Sequence, residues 1–162
     1  MFYGCISIGI TGKTLFCLYR KVLRMNEYVY DELRLGMKES FSVCITEQMI
    51  ADFASITGDY NPLHQDGEYA LSAGYNGRVV YGMLTSSFLS TLAGMYLPGK
   101  YSVIHETTLK MPKPVYIGDE LRIEGEITDK NDIFRIIDIK VNVYNRNNVK
   151  VLRGSMRVGV LA

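Results

Sequence analysis

The run GMLTSSFLSTLAGMYL, residues 82–97, carries no charged side chain. Its apolar and small residues fall on nearly every side of a 3.6-residue helix, the pattern of a helix buried on most of its faces. A chain of 162 residues is about the size of one domain, too small to bury such a helix so fully in any other way than under a wrapped sheet. A sheet wrapped around the helix is the arrangement that remains, so the run predicts an α+β domain built on one central helix.

The rest of the chain supplies that sheet. In LRIEGEI, residues 121–127, Leu121, Ile123 and Ile127 alternate with Arg122, Glu124 and Glu126, the period-2 signature of an antiparallel strand with one wet face. IFRIIDIKVNVY and VKVLRGSMRVGVL repeat the theme around the turn NRNN, whose asparagines suit a tight reversal. YSVIHETTLKM predicts a strand ahead of Pro112 and Pro114, and IGDE a tight turn. Nearer the N-terminus, ESFSVCIT predicts a short strand, and Thr46 an N-cap for the helix EQMIADFASI. There Met49, Ile50, Phe53 and Ile56 stand at helical spacing, and Glu47 sits in the first turn, where it favours the helix dipole. GEYALSA predicts one or two helical turns and GYNGRVV a loop.

Composition narrows the function classes. Hydrophobic residues at 48% and charged residues at 22% describe a folding chain rather than a disordered one. Lys and Arg number 18 against 17 Asp and Glu, so no positive field gathers polyanions, and nucleic acid is excluded as a partner. Cys5, Cys17 and Cys44 are odd in number and lack paired spacing, which predicts a reducing, cytoplasmic setting. With two histidines and no clustered cysteines, no metal site is expected.

Residues 1–25 contain no apolar run near the ~20 residues that span a bilayer, and their basic residues follow the apolar part, the reverse of a signal peptide. They form an extension of uncertain status ahead of a 26–162 domain. The extension would be an ordered arm, a surface anchor using Lys13, Arg20, Lys21 and Arg24, or untranslated sequence if Met25 is the start.

The chemistry gathers in TGDYNPLH, residues 57–64. Asp59 and His64 would stand roughly 140° apart on a continuous helix, but Gly58, Asn61 and Pro62 predict an irregular loop that can turn both side chains to one point. A neutral imidazole beside a carboxylate can manage a proton on a bound water. An ordinary turn, stiffened by Pro62 and bonded locally through Asp59 and Asn61 with His64 packed alongside, explains the same residues. His105, in an alternating strand, reads as structural, and GYNG lacks the lysine of a phosphate loop.

The longer stretch FASITGDYNPLHQDGEYALSAGYNGRVVYGML resembles the hydratase segment of the MaoC-like, (R)-specific enoyl-thioester hydratases. The similarity extends over roughly residues 38–160, including LPGKYSVI and PVYIGDEL. It implies a hot-dog fold, an antiparallel sheet wrapped around a long helix, with two protomers paired. It implies reversible hydration of trans-2-enoyl thioesters to (R)-3-hydroxyacyl thioesters, carried by coenzyme A or acyl carrier protein, with no cofactor. The family's catalytic aspartate and histidine fall on Asp59 and His64, its loop asparagine on Asn61, and the backbone N–H that holds the thioester oxygen on Gly82. Ser90 matches an accessory serine of some members, or is a buried helix hydroxyl bonded to the preceding turn. Tyr81 departs from the family, where a histidine often precedes the helix glycine, and is expected to alter pocket shape. A noncatalytic acyl-binding subunit and a hot-dog thioesterase are the competing functions.

Overall fold

The computed structural model describes residues 24–162; the 1–25 extension, apart from its last two residues, lies outside the described residues. Five strands, β1 (Lys38–Cys44), β2 (Ser102–Lys110), β3 (Glu120–Asn131), β4 (Ile136–Asn145) and β5 (Lys150–Val160), form one sheet. Their spatial order is β1-β3-β4-β5-β2, and every neighbouring pair is antiparallel. The alternation predicted for β3 holds: Leu121, Ile123 and Ile127 face inward, as do Ile137, Ile139, Val141 and Val143 of β4.

The central helix α4 (Gly82–Thr91) and the π-helical turn Leu92–Tyr96 that continues it lie in the hollow of this sheet. A side-chain carbon at Gly125 of β3 would come within 2.8 Å of a Leu92 methyl group, so glycine at that position lets the helix close onto the sheet. One sheet covers only part of a helix, and Met83, Ser87 and Ser90, spaced four and three residues apart, form an uncovered stripe on α4.

Helix α1 (Glu47–Thr57) starts where predicted, with the Thr46 hydroxyl accepting from Met49 N at 3.3 Å, and ends at Gly58 with φ 70, a left-handed conformation that glycine adopts without strain. Its inward stripe runs through Ile50 and Ala54, and Ile56 lies outside it, 81% exposed. The run IFRIIDIKVNVY likewise enters its strand later than its apolar start suggests. Ile133 and Phe134 sit exposed in the β3–β4 turn, where the backbone reverses through Arg135 at φ 49. Among the described residues no helix is long and apolar enough to cross a membrane.

Candidate functional site

The segment after α1 is a loop that ends in a one-turn helix, α2 (Pro62–Gln65), followed by α3 (Gly67–Ser72) within the GEYALSA stretch. The expectation of an irregular loop through His64 is therefore corrected at its C-terminal half. Pro62 occupies the first helical position, where its missing N–H leaves no intrahelical bond unmade, and Asn61 caps the turn by accepting from Leu63 N at 2.9 Å. Upstream, Asp59 N donates to Thr57 Oγ1 at 3.3 Å, and Asn61 N donates to Asp59 Oδ1 at 3.0 Å. The local bonds of an ordinary turn are thus present, and they engage one oxygen of an exposed carboxylate.

Two bonds stitch α2 to Val79. Val79 N donates to Leu63 O at 3.1 Å, and His64 Nδ1 lies 2.6 Å from Val79 O. A carbonyl can only accept, so Nδ1 carries the proton, and the neutral ring presents its lone pair at Nε2. The half-buried His64 ring lies against Tyr81, with centroids 4.0 Å apart. Val79 in turn bridges to Tyr116, and Val80 N donates to Val115 O at 2.8 Å, which ties this loop to the segment ahead of β3.

A cleft of about 300 Å³ opens between these segments, lined by His64, Tyr75, Val79, Gly82, Thr85 and the stretch from Met111 to Val115. Gly82 is the first residue of α4, a position whose N–H has no acceptor within the helix and which lies at the positive end of its dipole. A side chain at position 82 would collide with the Met111 thioether. Glycine thus leaves room for the flexible Met111 side chain as well as for any approach of substrate. Lys113 is the lysine among the lining residues.

The structure brings His64 and the N-terminus of α4 to one cleft. Asp59 and Asn61 stand on the adjoining turn and do not line it. Ser90 is exposed on the open stripe of α4, two turns past Gly82, and its expected burial as a helix hydroxyl is overturned because the sheet covers the opposite side. Tyr81 is 2% exposed and does not line the cleft either. Its hydroxyl donates to Asp59 O at 2.6 Å and accepts from Gln65 Nε2 at 2.6 Å. His105 lies exposed at a bulge of the edge strand β2. Among the described residues no three His, Cys, Asp or Glu side chains gather as a metal site would require.

Sequence reasoning missed the Val79 carbonyl and the 111–115 wall. The paired prolines Pro112 and Pro114 were the available signal for the latter, since they hold an extended segment that does not pair as a strand.

The family model described as MaoC like domain matches residues 33–149. The (R)-specific enoyl-CoA hydratase of Aeromonas caviae is 31% identical over 124 residues, covering 76% of this chain and 92% of that protein. A mitochondrial 3-hydroxyacyl-[acyl-carrier-protein] dehydratase of Arabidopsis thaliana is 42% identical over 112 residues, covering 68% of this chain and 66% of that protein. Among solved structures, the unliganded R-hydratase PhaJ1 from Pseudomonas aeruginosa superposes with a TM-score of 0.79 at 29% identity, covering 84% of this chain and 87% of that one. The fold is the hot-dog fold of these hydratases.

Proposed function

The chain belongs to the MaoC-like domain family of hydratases and dehydratases, and from that premise we propose that it adds water reversibly across the double bond of a trans-2-enoyl thioester to give the (R)-3-hydroxyacyl thioester. The observation that carries this reading is that His64, its Nδ1 held by the Val79 carbonyl, and Gly82, the first residue of α4, line one cleft. His64 Nε2 takes a proton from water as the water oxygen attacks Cβ. Asp59 positions that water, and the proton His64 has taken passes on to Cα with Asp59 sharing in the transfer, which restores the imidazole as base. As Cβ is attacked, charge collects on the thioester oxygen as an enolate, and the Gly82 N–H stabilises it; a donor of this kind contributes ~3 kcal/mol in oxyanion holes. The atoms of one water are conserved across the two carbons, so no electron acceptor and no cofactor enters.

Asn61 holds the turn, and Ser90 is an accessory group whose loss leaves most of the rate. The 26–162 segment is the catalytic unit. Coenzyme A and acyl carrier protein are both carriers named among the relatives, and the substrate is a thioester of one or the other, which the choice of carrier in the assay below decides. A second copy of the chain pairs with the first. β2 supports this, being an edge strand exposed along most of its length, with Val103 and Ile104 at 38% and 37%, an edge that proteins cover or blunt.

The test is conversion of crotonyl-coenzyme A by the full chain, with chiral analysis of product and a free-thiol assay. The (R)-3-hydroxybutyryl thioester without thiol release is the expected outcome. Thiol release would replace the reading with a thioesterase, and no turnover of short or long enoyl chains on either carrier would replace it with a binding role.

A further inference from the structure

The groups assigned to the reaction sit on two segments that are far apart in sequence. Asp59 and His64 belong to the 57–65 turn, and the Gly82 N–H belongs to the start of α4. Val79 ties the backbone and ring of the turn to the segment ahead of α4, and Tyr81 joins the two a second time. It is covalently next to Gly82 and 2% exposed, its ring packs against His64 at 4.0 Å and Phe53 at 5.1 Å between centroids, and its hydroxyl reaches back 22 residues to the Asp59 carbonyl. Gln65, one residue past His64, donates to that same hydroxyl at 2.6 Å. The hydroxyl therefore uses its one proton on Asp59 and a lone pair on Gln65, bracketing the turn on both sides of His64.

We propose that Tyr81 is a positioning residue, whose hydroxyl sets the Asp59 and His64 groups in register with the N-terminus of α4. The proposal rests on the hydro-lyase reading above for its rate consequence alone. A bulky apolar side chain would fill the space below the cleft equally well, and burying a hydroxyl is unfavourable unless it is bonded. A phenol with both of its bonds made to the one turn that carries the acid and base gives geometry that packing alone leaves loose. Reacting groups must be held near their attack geometry, and a displacement of about 1 Å costs on the order of 100-fold in rate.

Tyr81→Phe keeps the ring contacts and removes both bonds. The expected result is a fall in kcat of about 10- to 100-fold with little change in KM and a melting temperature lowered by only a few degrees. The chain has two histidines, so its imidazole NMR signals are simple to assign with a His105→Gln variant. In Tyr81→Phe the His64 imidazole chemical shifts should change and the backbone amide signals of residues 59–61 and 63–65 broaden, while the His105 signals stay in place. Gln65→Ala should shift the same observables in the same direction by less, and carries the test if Tyr81→Phe does not fold. Wild-type kcat in Tyr81→Phe, or His64 imidazole signals and amides of 59–61 and 63–65 that superimpose on those of wild type, overturns the proposal. If the unaltered chain hydrates no enoyl thioester, the functional reading falls, and the NMR comparison still decides whether Tyr81 orders the turn.

Discussion

Strand β4 and the 57–66 segment have similar lengths and are held by different forces. β4 pairs with a neighbour on each side, and Ile137, Ile139, Val141 and Val143 are each 0% exposed. The 57–66 segment has no buried residue. Its local turns come from side-chain oxygens that each take a backbone N–H two residues ahead, from Thr57 to Asp59, from Asp59 to Asn61 and from Asn61 to Leu63, and hydrogen bonds with Val79 and Tyr81 hold it from outside. Burial of this kind contributes roughly 1.5–3 kcal/mol per large side chain, whereas an intramolecular hydrogen bond contributes about 1 kcal/mol net. The difference separates two tasks. The sheet carries stability, and the turn carries polar groups whose alteration leaves the fold standing.

The comparison is broken most directly at the turn. His64→Ala and Asp59→Asn should each lower kcat by at least ~100-fold while thermal melting stays within a few degrees of wild type. Asparagine at 59 retains an oxygen that can accept from Asn61 N, so this substitution isolates the carboxylate charge from the turn. Retained turnover in Asp59→Asn would leave Asp59 a turn residue only.

The opposite pattern is expected in β4. Ile139→Ala should remove ~2–5 kcal/mol of stability, read from urea unfolding, with kcat per folded molecule unchanged. A parallel loss of kcat would mean that the sheet controls the turn more tightly than their contacts indicate.

A third prediction concerns alkaline pH. Tyr30 is 4% exposed and donates to Asp132 Oδ1 at 2.8 Å; burial first, and then this hydrogen bond, push its pKa up to about 12. A raised folded pKa favours the neutral phenol in the native state. The stabilisation is therefore complete below the ordinary tyrosine pKa near 10 and is lost as pH rises from there through about 12. Urea midpoints measured across that window should fall in the wild type more steeply than in Tyr30→Phe.

The smallest effect is expected at Gly58. Its φ of 70 lies in the left-handed region and open space surrounds its Cα, so Gly58→Ala should destabilise by only about 1–2 kcal/mol through backbone strain. A larger loss would show that the end of α1 contributes to the core, which would narrow the contrast between turn and sheet.

The fold was legible because burial leaves a periodic trace. Uncharged residues around 82–97 required a cover, the alternation of Leu121, Ile123 and Ile127 identified the strand facing them, and Thr46 marked where α1 begins. The trace weakens where apolar residues end up wet. Ile56, Ile133 and Phe134 are exposed because apolarity indicates what can be buried, while chain reversal and helix orientation determine what is. The turn itself was legible as a motif, and residue type and resemblance singled out Asp59, Asn61 and His64 as candidates.

The sequence by itself determined the period of each element and the residues available for chemistry, since both depend on neighbours a few positions apart. Only the tertiary structure decided what those residues meet. The Val79 carbonyl selects the His64 tautomer from 15 residues away, the Tyr81 hydroxyl reaches Asp59 across 22, and Met111 fills the space beside Gly82. Such contacts join segments with no shared periodicity, and their geometry exists only once the sheet has closed around its helix.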